Sequence, residues 1–285
     1  MNIIKKLSAK SWRSEFFNYN HTLVKNPTML TVEECRMLAY LTANIYNGGE
    51  IVELGSFLGG STAHLASGLS LKKIPSSSPL IKSYDFFEMQ EKDKTKYTEK
   101  YDLISFDGTN TLEIVKEMLG SHASYVEFFK GDILDSAYEK KQISILFNDA
   151  AKSYELNEHI INTFFPKLEP GSVLIQQDYL HYTNPWVIAS MELMEEYFHL
   201  VSWTEYNSVL FVCKKNIPTN PIKNFETIRT SMEFLLAQAI QKFTDVRQRE
   251  AIAKSILGFR QNTNVEKSWA FNCAFDAKAV KELIA

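Results

Sequence analysis

Between about residues 30 and 215, short β-like runs alternate with helix-like stretches, and this alternation constrains the fold more than any other feature of the chain. Glu50-Ile-Val-Glu-Leu54 reads as a buried strand, and Leu80–Tyr84, Tyr125–Phe129, Ile143–Phe147 and Ser172–Gln176 read the same way. His199–Thr204 and Ser208–Cys213 form a closing hairpin. Thr31-Val-Glu-Glu34 is a capping-box pattern opening an amphipathic helix that stops near Gly48-Gly49. Ser61–Leu69 and Glu155–Phe165 are helical in pattern. Strands separated by helices predict an α/β fold, a seven-stranded mostly parallel sheet with helices on both faces. In such sheets ligands bind beyond the carboxyl ends of the strands. After Pro221 the texture turns helical, with Phe225, Ile228, Met232, Leu235, Ala239, Ile240 and Phe243 on one apolar stripe and further helices over Val246–Leu257 and from Asp276 to the end. The expected organisation is an N-terminal extension (1–30), a main domain (31–215) and a helical C-terminal extension (216–285). Two readings of that extension stay open: packing against the core or a subunit interface, or a lid over the active site.

Composition narrows the partners. Lys+Arg 31 against Asp+Glu 34 leaves a net charge of −3, which is not the basic footprint of a nucleic-acid binder. The apolar runs are strand-sized, short of the ~18 residues of a membrane span, and no apolar h-region follows the N-terminal lysines. Three widely spaced cysteines, Cys35, Cys213 and Cys273, give neither a disulfide framework nor a zinc knuckle. The expectation is a cytoplasmic protein that engages neither nucleic acid nor membrane.

The most informative segment is Ile51-Val-Glu-Leu-Gly-Ser-Phe-Leu-Gly-Gly-Ser-Thr62. A strand ends at Glu53-Leu54, a glycine-bearing turn follows, and a helix begins near Ser61. Gly55 and Gly59 lack a Cβ, so a ligand can lie against the turn, and the helix N-terminus offers free N–H groups to an anion. No Lys-Ser or Lys-Thr follows the glycines, which excludes a P-loop, and G-x-x-x-G-G is a poor match to the dinucleotide pattern G-x-G-x-x-G. A third reading is an S-adenosylmethionine turn, with an acid two places before the first glycine facing the methionine end of the cofactor.

Glu53-x-Gly55-x-x-x-Gly59-x-Ser61 resembles motif I of the class I S-adenosylmethionine-dependent methyltransferases, and Glu-Leu-Gly-Ser-Phe-Leu-Gly-Gly-Ser is especially similar to the macrocin O-methyltransferase group. The resemblance implies a Rossmann-like fold with cofactor contacts from Glu53, Gly55, Ser56, Phe57, Gly59 and Ser61. It also implies that Asp85, at the end of the second strand, accepts hydrogen bonds from the ribose hydroxyls. Asp132 of Lys130-Gly-Asp-Ile-Leu134 would lie near the adenine amino group and Ile133 against the ring. Asp132 as a plain turn former is the alternative.

A second constellation follows strands four and five, in Phe-Asn-Asp149-Ala-Ala-Lys152 and Gln177-Asp178-Tyr179. Neighbouring strand ends bring Asp149 near the Gln177-Asp178 pair, and two carboxylates with an amide oxygen suit a hard cation such as Mg2+. Asp-x-x-Lys after strand four resembles the cation-dependent O-methyltransferases, including the catechol and caffeoyl-CoA enzymes. Gln177 departs from that pattern, standing where relatives of the macrocin enzyme carry an acid. The resemblance implies metal ligation by Asp149, Gln177 and Asp178, with Lys152 as base once a nearby cation depresses its pKa. His181 is a second candidate base. Lys152 as a solvated helix lysine, and the acids as strand-end caps, are the plain alternatives.

The expected activity is S-adenosylmethionine-dependent O-methylation of a small molecule or sugar, with Mg2+, by an oligomer joined through the C-terminal helices. The competing functions are an N-methyltransferase or metal-independent relative, and a catalytically silent cofactor-binding partner protein.

Overall fold

A computed structural model describes residues 3–76, 78–101, 106–139 and 142–284. Ser77 lies outside these, as do the first two residues and the last of the terminal extensions. The chain forms two compact units, residues 9–136 and residues 137–284 with 3–8.

In the first unit, β1 (Glu50–Leu54), β2 (Ile81–Asp85) and β3 (Val126–Lys130) are parallel, with Leu54 opposite Tyr84 and Asp85 opposite Lys130. The capping box forms as the sequence indicates: Thr31 Oγ1 accepts from Glu34 N and the Glu34 carboxylate accepts from Thr31 N, opening the helix Val32–Tyr40. That helix continues as a π-helical turn, Leu41–Ile45. The helix Gly60–Leu71 is buried from Gly60 through Leu69, which is why it carries no polar face. Ala63 of this helix packs with Phe87, Val115 and Leu119 in a small core cluster.

In the second unit, β4 (Ile143–Asn148) and β5 (Leu168–Gln176) are parallel. β7 (Val209–Cys213) runs antiparallel to β5, and β6 (Phe198–Trp203) antiparallel to β7, as the closing hairpin requires. The strand order is β3-β2-β1-β4-β5-β7-β6, a seven-stranded mostly parallel sheet. The tail is helical over Glu226–Thr230, Met232–Ile240, Val246–Gln261 and Ala277–Ile284. Ile228, Met232, Leu235, Ala239, Ile240 and Phe243 of the apolar stripe are buried. No helix among the described residues is long and apolar enough to cross a membrane.

Candidate active site

Glu53 leaves β1 fully buried. Its Oε2 accepts hydrogen bonds from Thr62 Oγ1 at 2.5 Å and Ser83 Oγ at 2.6 Å. Burial pushes the carboxyl up from 4.5 to about 7, against the hydroxyls of Ser61, Ser83 and Thr62, which pull it down. Its Oε1 is buried with no hydrogen-bond partner among the described residues. A buried acceptor without a donor is a costly arrangement unless something supplies one. An ammonium group, such as the amino group at the methionine end of S-adenosylmethionine, meets that need.

The turn after Glu53 is left-handed at Gly55 (φ 88°), Phe57 (φ 52°) and Gly59 (φ 78°). A left-handed phenylalanine needs support, and Asp85 provides it: Oδ2 accepts from Ser56 N at 2.8 Å and from Phe57 N at 2.9 Å. The Phe57 ring packs edge-on against Tyr97, with centroids 5.1 Å apart. Asp85 Oδ1 also accepts from Phe87 N at 2.7 Å, so this acid braces its own chain at three backbone positions. Asp132 likewise serves its own turn, accepting from Leu134 N at 3.0 Å, and Ile133 beside it is buried.

Gly59 and its neighbour Gly60 correct one expectation. A Cβ at Gly59 would lie 2.7 Å from Val115 Cγ1, and one at Gly60 would lie 2.4 Å from Pro27 O and 2.5 Å from Thr28 Cβ. At these positions the missing side chain makes room for the chain's own segments rather than for a ligand. Asn26, buried, anchors the overlying segment by donating to Leu58 O at 3.1 Å. Gly60→Ala is expected to cost about 1–3 kcal/mol by overpacking, read as a lowered urea midpoint at unchanged slope.

In the second unit, the last pair of β4 and β5, Asn148 and Gln176, is tied by Asn148 Nδ2 donating to Gln176 Oε1 at 2.8 Å. Asp149 and Asp178 follow, and both close on Lys152: its Nζ lies 2.8 Å from Asp149 Oδ1 and donates also to Asp178 Oδ2. Burial disfavours the Lys152 charge, but the Asp149 and Asp178 carboxylates outweigh it and its pKa is raised. The expected base is therefore biased the wrong way: in this arrangement Lys152 is the cation of the cluster. Gln177 stands apart from it, because Ser208 Oγ donates to its Oε1. As arranged, the set does not fit a dication, since an ammonium already sits between the carboxylates and the amide oxygen is engaged. Among the described residues no group of three or more His, Cys, Asp or Glu side chains gathers to hold a metal.

His181 follows Asp178, whose left-handed backbone (φ 57°) turns the chain so that His181 N donates to Asp178 O at 3.0 Å. Its Nδ1 pairs with Thr183 Oγ1 at 2.7 Å and its ring stacks on Tyr182. Burial lowers the His181 pKa, Lys152 adds to the lowering, and Asp178 opposes it. Its surroundings thus favour the neutral imidazole. His181 also lines a cavity of about 340 Å³ with Leu180, Tyr182, Glu205, Tyr206, Asn207, Arg247, Gln248, Glu250, Ala251 and Lys254.

Asn207 was not legible in the sequence as a site residue, yet its Nδ2 donates to Asp178 Oδ1 at 3.2 Å. Ser208, which holds Gln177, escapes in the same way. Both lie where the β6–β7 hairpin turns, and their partners are about thirty residues away in sequence. Trp186 Nε1 donates to Ala151 O at 2.7 Å and fixes the loop carrying Lys152. None of these residues carries a local pattern.

Residues 52–179 match a family model described as a methyltransferase domain. That stretch contains the β1 turn, Asp85, Asp132 and the Asp149–Asp178 cluster, so the elements that carry the candidate site are those similar to a methyltransferase domain. Among solved structures, the O-methyltransferase NovP superposes with a TM-score of 0.51 at 15% identity, covering 74% of this chain and 96% of that one. CalS11, a TDP-rhamnose 3'-O-methyltransferase of calicheamicin biosynthesis, gives 0.50 at 15% identity, over 73% of this chain and 90% of that one. At this identity the two likenesses establish the fold. No curated protein matches the chain in sequence.

Proposed function

We propose that the chain O-methylates a hydroxyl of a small molecule or sugar, with His181 as the base. The observation that carries this reading is an imidazole oriented by Thr183 on the wall of a cavity beside Asp178, where burial favours its neutral form. The cavity offers donors, acceptors and two tyrosine faces, which suits a polyhydroxylated acceptor. When bound, S-adenosylmethionine supplies a methyl group activated by its sulfonium. Glu53, Gly55, Ser56, Phe57, Ser61, Asp85, Asp132 and Ile133 are the residues proposed to hold it. The unpartnered Glu53 oxygen is the feature that best fits its cationic end.

An alcohol becomes a competent nucleophile as it loses its proton, and His181 is suited to take that proton. Lys152, held by Asp149 and Asp178, supplies fixed positive charge that favours the developing oxyanion. A divalent cation is the second reading. Asp149 and Asp178 already converge on a single positive charge, and Mg2+ would compete with the Lys152 ammonium for it.

Calorimetric titration with S-adenosylmethionine tests the class, and absence of binding overturns it. Methyl transfer is then assayed over a panel of hydroxylated acceptors with Mg2+ or with EDTA. CalS11 acts on TDP-rhamnose, so nucleotide-linked sugars are the first acceptors to try. Full activity in EDTA removes the second reading. Cofactor binding with no turnover on any acceptor would favour a silent partner protein, and turnover confined to amines an N-methyltransferase.

A further inference from the structure

We infer that Arg229, on the helical tail, is a positioning residue for Lys152, acting through Glu266 and Tyr154. The inference rests on the reading above that Lys152 acts in the acceptor site. Lys152 lies in a loop whose backbone is bracketed by residues 266–268 of the tail. Ser268 N donates to Lys152 O at 2.8 Å and Tyr154 N donates to Glu266 O at 3.1 Å, with Ser153 and Lys267 forming the antiparallel bridge between them. One side chain grips both halves of this junction. Arg229 Nη2 lies 2.6 Å from Glu266 Oε1, and the same guanidinium lies over the Tyr154 ring, 4.5 Å from its centroid.

An isolated surface ion pair contributes little, but this guanidinium stacks and pairs at once, which a lysine ammonium reproduces poorly. The 2.8 Å contact from Lys152 Nζ to Asp149 depends on where this loop is held. Loosening the junction lets the amine drift from its carboxylates and open to solvent.

The test uses the full chain and needs no acceptor. Trace labelling of lysines with acetic anhydride at pH 8, read by mass spectrometry, reports how accessible each amine is. In wild type Lys152 should label far more slowly than the exposed Lys278. Arg229→Met should raise the Lys152 rate about tenfold as the loop opens more often, with Lys278 unchanged and Arg229→Lys restoring little. Labelling of the buried Lys82 reports unfolding. If Arg229→Met exposes Lys82, Glu266→Gln carries the same expectation for Lys152. A Lys152 rate within twofold of wild type in the folded variant overturns the inference. Failure of wild type to bind S-adenosylmethionine would instead overturn the function and leave the labelling result standing.

Discussion

Glu53→Gln is expected to make the protein more stable at pH 8 and a poor cofactor binder. In the folded chain burial holds the Glu53 proton up to about pH 7, whereas the unfolded chain loses it near 4.5. Below 4.5 both states are protonated and the group has no effect on stability. Between 4.5 and 7 the unfolded state sheds a proton that the folded state keeps, so stability falls as pH rises. Above 7 the full cost, about 3 kcal/mol, is in place. Glutamine accepts from Thr62 and Ser83 as the carboxylate does and carries no charge. The variant should match wild type at pH 4 and exceed it by about 2–3 kcal/mol at pH 8, read from urea unfolding at both values. Loss of a charge-assisted hydrogen bond should weaken S-adenosylmethionine binding by roughly 10–100-fold. A variant that is no more stable at pH 8 would show that Glu53 is not held neutral. Undiminished affinity would show that its free oxygen does not meet the cofactor.

His181→Ala is expected to lower turnover by roughly 10²–10⁴, the range for a lost general base, while cofactor affinity is unchanged. Wild type must have His181 neutral, so its activity should fall on the acid side, at a pH below the ordinary histidine value of 6.5 because burial lowers this pKa. In the variant that limb should vanish. Lys152→Ala should behave differently, keeping the acid limb and binding Mg2+ better, because the carboxylates of Asp149 and Asp178 lose their resident cation. An acid limb that disappears with Lys152 and survives the loss of His181 would return the base to the lysine.

Much of the frame is legible because strand and helix periods differ. The apolar run ending in an acid reads as a strand over 50–54, and β1 occupies Glu50–Leu54. β5 begins at Leu168, earlier than the Ser172–Gln176 that the sequence shows, because Glu169-Pro170-Gly171 has turn chemistry while Leu168 is paired with Ile143. The helix Glu91–Tyr101 buries no residue and so has no apolar stripe to read. Pro185–Leu193 escapes for the opposite reason, being buried on nearly all sides. The tail stripe reads as continuous but divides at Ser231, where Thr230 Oγ1 bonds back to Glu226 O and competes with the helix ladder. At the site, spacing shows that Asp149 and Lys152 are three apart. That Lys152 also reaches Asp178, and that Ser208 captures Gln177, depends on pairing between strands distant in sequence.

The close fit of Gly60 beneath Pro27 and Thr28 bears on how this protein can be cut and how it can change. The matched methyltransferase segment starts at residue 52, beyond the residues that cover its own signature turn. A shortened form beginning there would uncover Gly60 and lose the Asn26 anchor on Leu58. Among homologues, positions 27–28 and 60 should covary: where position 60 gains a side chain, the chain above it must shrink or be rerouted.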